Sequence, residues 1–334
     1  MDADIKKIIF ADLNKVIIET DSTSIDPPAD GIVIKTSYSC VSVGTELAKL
    51  TGLQEGVFPT GIGNRAIGRV VAAGEKSKFS EGDLVFSHTH HASHVVGAML
   101  IAGLPDSLEK PETSLLGMAM VAFGGLRAAQ PEIGDYAVVT GAGLVGQLLA
   151  QLLEIAGVTP ILIDQLDNRL TIANTCGIEH TINASTEDVM AAVLAKTNGK
   201  GAEHVFECTG VPAVVEQAAG YCAQSGNLIL VGSPRGEFKT DLTPFLNNVH
   251  IWKPHGNITI KGAHEWNIPI KPQESLKHNQ QRNLRILADL TDRGKLKLGP
   301  LVTQVYEPDN CQEAYDSLIK DKANALGVVF DWTK

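Results

Sequence analysis

From residue 136 onward the chain repeats one local pattern, an apolar run, a turn, then a longer stretch of helical character. Residues 136–140 (YAVVT) are the first apolar run. GAGLVG follows, then QLLAQLLEIAG, and TPILI at 159–163 opens the next unit. NRLTIANTCG reads as a helix ending at Gly177, a residue suited to the left-handed position after a helix. HTIN, HVFEC at 204–208, NLILVG at 227–232 and ITIKGA at 258–263 bring the strand candidates to six. Pro212 fits the first turn of a helix. Ser185 with Asp188 predicts a helix start of the capping-box kind. Strands alternating with helices imply a parallel sheet covered by helices on both faces, an α/β class of fold.

The turn after the first strand is Gly141-Ala142-Gly143-Leu144-Val145-Gly146, a GxGxxG. Its setting between a strand and a helix is what a dinucleotide turn requires. Gly141 permits the tight turn, Gly143 lets backbone approach a pyrophosphate, and Gly146 lets the helix pack on the strand. The helix start offers free N–H groups and a positive dipole end to phosphate. Asp164 ends the second strand, 18 residues after Gly146, where an acid binds ribose hydroxyls and repels a 2′-phosphate. The sequence therefore predicts a Rossmann-type doubly wound sheet that binds NAD in preference to NADP. Arg169 lies close enough in sequence to soften that preference.

Residues 1 to about 110 have a different texture. Short β-like pieces (KVIIET, GIVIKTSY, IGRVVAAG, DLVFSH) alternate apolar and polar residues between Gly, Pro and Ser. Near the C-terminus NLRILADLTDRGKL reads as a helix and NALGVVFDW as a strand, and both are grouped with this β-rich part. The expected organisation is a catalytic domain of 1–111 and 271–334 with a nucleotide domain of 112–270 inserted in it. A length of 334 residues suits two domains. Lys and Arg number 28 against 38 Asp and Glu, a formal charge of −10 that disfavours nucleic acid and anionic membranes. Cys40, Cys176, Cys208, Cys222 and Cys311 lie at least 14 positions apart. That spacing excludes CxxC metal knuckles and suggests reduced thiols in a cytoplasmic protein. The start, MDADIKKIIFADLNK, lacks an apolar signal core. No apolar stretch reaches the ~20 residues that span a bilayer.

Several ordered stretches resemble the medium-chain dehydrogenase/reductase superfamily almost end to end. GRVVAAGEKSKFSEGDLVF at 68–86 is similar to its strand and "GD-V" segment, and GAGLVG to its cofactor turn. FECTG at 206–210 and ILVGSPRG at 229–236 are similar to its fourth- and fifth-strand turns. GKLKLGPLVTQVY and CQEAYDSLIKDKANALGVVFDW are similar to its closing elements. SYSCVSVGTE at 37–46 and VFSHTHHASHVV at 85–96 look like the group that includes bacteriochlorophyllide dehydrogenase-like proteins. The resemblance implies a GroES-like β-rich catalytic domain and a homodimer. It implies cofactor contacts from Cys208, Thr209, Gly232 and Ser233, and hydride transfer between NAD and a secondary alcohol or polyol.

The zinc enzymes of that superfamily hold their metal with three protein ligands and an open position. Cys40 falls on the first ligand position and Ser42 on the proton-relay hydroxyl. The Gly-His-Glu of the second ligand is replaced by Gly63-Asn64-Arg65, and the third position, near LLGMAMVAF, offers only Met118 and Met120. No metal is therefore expected. A competing possibility is a different metal site built from His88, His90, His91 and His94, with Cys40. Without zinc, a histidine suits the proton exchange. The expected catalytic set is Ser42 and His91, or a neighbour of His91, with Thr45 and Glu46 nearby. Two other functions remain open at this point, a zinc-free enoyl or quinone reductase using NAD(P)H and a non-catalytic NADH-binding sensor. Trp252, His255, His264 and Trp266, flanking ITIKGA, are expected in packing or a subunit contact.

Overall fold

The computed structural model describes residues 2–97 and 99–334. By internal contacts the chain divides into two compact units. The first takes Met1–Gly117, Pro269–Gly294 and Leu301–Lys334; the second takes Met118–Ile268 and Lys295–Pro300.

The first unit begins with β1 (Asp2–Asp12), β2 (Lys15–Ser24), β3 (Ile32–Cys40) and α1 (Val43–Leu50). β4 (Thr60–Gly61), β5 (Ala66–Ala73), β6 (Leu84–Ser87), β7 (His94–Val96) and β8 (Ile101–Gly103) follow. β1 was not expected from the sequence. Its lysines and aspartates mask the buried side chains of Ile5, Ile8, Ile9 and Phe10, and it pairs antiparallel with β2 along almost its whole length.

After α2 (Leu116–Ala129), the second unit alternates strand and helix. The strands are β9 (Tyr136–Thr140), β10 (Thr159–Asp164), β11 (His180–Asn183), β12 (Ala202–Glu207), β13 (Cys222–Leu230) and β14 (Thr259–Gly262). Between them lie α3 (Leu144–Ile155), α4 (Asp167–Cys176), α5 (Val189–Lys196), α6 (Pro212–Ala219) and α7 (Thr243–His250). The six strands form one parallel sheet in the order β11-β10-β9-β12-β13-β14. The expected α/β fold is present, with a separate mixed sheet in the other unit. The central strands are buried on both faces. Val138, Ile161, Ile182, Val205 and Leu228 form one core with Val193, Ala218 and Ala219 of the covering helices.

Gly177 ends α4 in the left-handed conformation, at φ 100°. The expected capping box at Ser185 is not formed. Asn183 Oδ1 accepts the Ser185 N–H at 2.8 Å and holds it in a turn before the helix. Asp188 is itself the cap of α5, accepting the Ala191 N–H at 3.1 Å.

The chain returns to the first unit with α8 (Gln280–Asp292), β15 (Val302–Tyr306), α9 (Cys311–Lys320) and β16 (Gly327–Asp331). β16 pairs antiparallel with β3 and parallel with β15, extending the sheet β15-β16-β3-β5-β6-β8. The stretch Lys295–Pro300 groups with the second unit, because Gln151 on α3 holds the backbone of Lys297. Its Oε1 accepts the Lys297 N–H at 2.8 Å and its Nε2 donates to the Lys297 carbonyl at 3.1 Å.

Candidate active site

In the second unit, β9 runs into the glycine turn and α3 begins at Leu144. Gly141 has φ 91° and donates its N–H to the Ile163 carbonyl at 2.8 Å. Gly143 caps α3 with no side chain, and a Cβ there would meet nothing within 4 Å. A Cβ on Gly146 would collide with the Gly141 carbonyl oxygen. The open space over Gly143 and the uncapped helix start over Leu144 and Val145 are what a phosphate-binding turn needs.

Asp164, at the carboxyl end of β10, is tied to this turn. Its Oδ2 accepts the Ala142 N–H at 2.7 Å and its Oδ1 the Leu166 N–H at 2.9 Å. Each oxygen keeps a lone pair for a further donor such as a ribose hydroxyl. Arg169 Nη1 stands 3.9 Å from Asp164 Oδ2, and the Arg169 carbonyl accepts Gln147 Nε2 at 2.7 Å. The structure thus brings Gly141, Ala142, Gly143, Leu144, Val145, Gly146, Asp164 and Arg169 to one end of the sheet.

Cys208, Thr209, Gly232 and Ser233 follow the carboxyl ends of β12 and β13, on the other side of β9. The two turns touch backbone to backbone. A Cβ on Gly210 would collide with the Ser233 carbonyl oxygen, and one on Gly232 with the Gly210 nitrogen. Beneath them lies Glu207, fully buried. Its carboxylate accepts the N–H groups of Thr209 (2.7 Å) and Gly210 (3.0 Å) and the Thr209 hydroxyl. Burial pushes the Glu207 carboxyl up from its ordinary value, and these hydrogen bonds pull against that. Sequence reasoning missed Glu207, for which only its place before Cys208 was a signal.

In the first unit, His91 is fully buried. Its Nδ1 lies 2.8 Å from Ser39 Oγ and its Nε2 3.2 Å from Glu46 Oε2. The Tyr315 hydroxyl, on α9, donates to the same Glu46 oxygen. Trp332 Nε1 donates to Ser39 Oγ at 2.9 Å. Glu46 Oε1 accepts the Ser42 N–H at 2.8 Å. Burial alone pushes the Glu46 carboxyl up, but the His91 imidazole and the hydrogen bonds from His91, Tyr315 and Ser42 outweigh it and hold the carboxyl below its usual range. Ser42 is the N-cap of α1, yet its hydroxyl makes no capping bond. Glu46, His91 and the Ser42 backbone therefore join one network. Thr45 lies half-buried on the same helix turn and has no bond to it among the described residues. Ser39, Tyr315 and Trp332 were not expected in the site. Tyr315 is 269 positions from Glu46, and no local pattern announces that pairing.

Cys40 is fully buried, with its thiol 3.4 Å from the Val41 carbonyl. Burial and the Glu46 charge push this thiol up to about 12, against the opposing charge of Arg65. Arg65 is buried, and its Nη1 donates to Asn64 Oδ1 at 2.5 Å. His94 lies on β7, paired with Lys35, while His90 is exposed. No group of three or more His, Cys, Asp or Glu side chains comes together to hold a metal among the described residues. His264 caps a short turn through the Trp266 N–H, His255 Nδ1 bonds the Cys222 carbonyl at 2.9 Å, and Trp252 is 74% exposed.

A family model described as "Zinc-binding dehydrogenase" matches residues 145–276. An uncharacterised zinc-type alcohol dehydrogenase-like protein of Haemophilus influenzae is 31% identical over 171 residues, 50% of this chain and 48% of that one. The chain thus spans about half the length of that relative. A protein of Escherichia coli with the same description is 23% identical over 91% of this chain and 92% of its own length. The crystal structure of 2R,3R-butanediol dehydrogenase from Bacillus subtilis superposes with a TM-score of 0.80 at 21% identity, covering 98% of this chain and 99% of that one. Over residues 145–276 the chain thus resembles the zinc-binding dehydrogenases in sequence, and as a whole it shares the fold of the butanediol dehydrogenase.

Proposed function

We propose that the protein is an NAD-dependent oxidoreductase that moves a hydride between a secondary alcohol or polyol and NAD, without a catalytic zinc. The observation that carries the reading is the Asp164 carboxylate fastened to the glycine turn. It presents a negative charge where a 2′-phosphate would have to sit. When bound, the nicotinamide supplies the hydride acceptor, and the chain's residues orient it and handle the proton. The butanediol dehydrogenase that shares the fold is named for an alcohol of this class.

The donor set around Cys40 supports the zinc-free part. A catalytic zinc needs three N, O or S protein ligands. Here Cys40 is one such donor, Asn64 is engaged by Arg65, and the Arg65 guanidinium opposes a cation. The alcohol proton then passes to Ser42, whose hydroxyl is not used by its helix and which hands its own proton to solvent water as it accepts. Glu46 and His91 act through that turn as positioning residues, because both ring nitrogens of His91 are engaged inside the unit. Thr45 is the second hydroxyl on the same turn.

The reading includes a homodimer, supported by β14 as an edge strand with one open side among the described residues. It also includes a cytoplasmic setting, supported by five free cysteines. No described helix is long and apolar enough to cross a membrane.

The test is NADH formation from NAD by chelator-dialysed protein on a panel of secondary alcohols, polyols and cyclitols. Turnover without added metal is the expected result. Turnover that needs zinc refutes the metal part. Turnover only of activated C=C substrates with NADPH replaces the reading with a reductase, which the 3.9 Å approach of Arg169 to Asp164 would then explain. NADH binding with no turnover under any of these conditions replaces it with a sensor.

A further inference from the structure

We propose that Glu207 is a positioning residue for the nicotinamide half of the cofactor, because it turns the loop after β12 into an edge that offers only acceptors. This rests on the nicotinamide-cofactor reading above and goes beyond it in naming the group that discriminates the two halves of the dinucleotide.

Strand order locates the loop. In a doubly wound sheet the ligand lies across the carboxyl ends of the strands where the order reverses. Here that point is between β9 and β12. Asp164, at the end of β10, marks the adenosine side, so the loop after β12 faces the other nucleoside.

Each backbone N–H of that loop is already donated. Cys208 donates to the Thr140 carbonyl at 3.0 Å, and Thr209 and Gly210 donate to the Glu207 carboxylate. Val211 donates to Thr209 Oγ1 at 3.0 Å, and the Thr209 hydroxyl gives its own proton to Glu207. The Gly210 carbonyl accepts the Arg235 N–H at 3.1 Å. What remains is the carbonyls of Cys208 and Thr209, which accept nothing among the described residues. A loop with two open acceptors and no open donor selects a partner rich in donors. The nicotinamide nucleoside carries such donors in its ribose hydroxyls and its carboxamide N–H.

A carboxylate is needed beneath the loop because three donors converge on it. A glutamine there keeps one oxygen for the two Thr209 donors and aims its NH₂ at the Gly210 N–H, which had its shorter bond to the lost oxygen. The loop must then rotate or leave a donor unpaired, and the acceptor edge is lost. The Gly210–Ser233 contact transmits the shift to the neighbouring turn, since the two backbones have no slack between them.

The experiment is a binding titration of NADH, ADP-ribose and AMP to wild type, Glu207→Gln and Thr209→Val, by NADH fluorescence and by calorimetry. In Glu207→Gln, NADH and ADP-ribose should weaken at least about tenfold, which is 1.4 kcal/mol, while AMP changes less than about twofold. Thr209→Val keeps the carboxylate and removes one of its donors. It should show the same split at smaller size, and it serves if Glu207→Gln does not fold. Equal losses for AMP and NADH, or no loss for NADH in either variant, overturn the inference and leave the cofactor reading standing. Wild type that binds none of the three overturns the cofactor reading and this inference with it.

Discussion

Replacing Glu46 with glutamine puts a number on the buried network. The carboxylate is almost wholly buried and accepts from Ser42, His91 and Tyr315. The amide in Glu46→Gln can keep the Ser42 N–H on its oxygen, but its NH₂ faces a ring nitrogen and a hydroxyl that were both donating. Leaving two buried donors, the His91 Nε2–H and the Tyr315 hydroxyl, without an acceptor costs about 1–3 kcal/mol each. For a unit of this size each kcal/mol lowers the melting temperature by roughly 2–4 °C. The expected drop at pH 7 is thus roughly 4–24 °C. It should also depend on pH. The Glu46 carboxyl is held lower in the folded protein than in the unfolded chain, where it sits at about 4.3. Its contribution is therefore fully present above that value and is lost as pH falls through the folded one. Thermal melts by circular dichroism from pH 8 to pH 3.5 should show a constant gap down to about pH 5 and a closing gap below about pH 4. A gap that is the same at pH 3.5 and pH 7, or is smaller than about 2 °C at pH 7, refutes the argument that a charge at Glu46 organises this core.

Three further outcomes concern single sites. Gly146→Ala drives a methyl into the Gly141 carbonyl oxygen and should weaken NADH at least about tenfold by calorimetry; unchanged affinity would show that the turn has slack. Asp164→Ala removes the acceptor of the Ala142 and Leu166 N–H groups and the charge facing a 2′-phosphate. The ratio of NADPH to NADH affinity should rise at least about tenfold, and an unmoved ratio would place selectivity elsewhere. Cys40, buried and with its thiol pushed up to about 12, should resist iodoacetamide at pH 8 in the folded protein and react fully in denaturant. Rapid labelling of the native state, read by peptide mass spectrometry, contradicts that placement.

The two units differed in how openly the sequence carried their candidate residues. The glycine turn was legible because each part is local: Gly141 through Gly146 lie on one turn, and Asp164 ends the next strand. Glu207 was not, since a carboxylate at a strand end looks alike whether it faces solvent or gathers three donors beneath a loop. In the first unit His91 was singled out as a proton relay with Ser42, with Glu46 nearby. The structure buries His91 completely and engages both its nitrogens, so its proposed role becomes positioning.

What the sequence by itself determined is whatever depends on neighbours along the chain. The strand and helix periods set the parallel sheet, the glycines set the turn, and Gly177 ended α4. What only the tertiary structure decided depends on segments far apart in the chain. β1 became a strand because β2 covers it, and Lys295–Pro300 joined the second unit because Gln151 holds Lys297. Ser39, Glu46, His91, Tyr315 and Trp332 became one network because β3, α1, the loop before β7, α9 and the chain end converge in one core. A hydrogen bond acts over about 3 Å and is indifferent to separation along the chain, so contacts of this kind leave no periodic trace in the sequence.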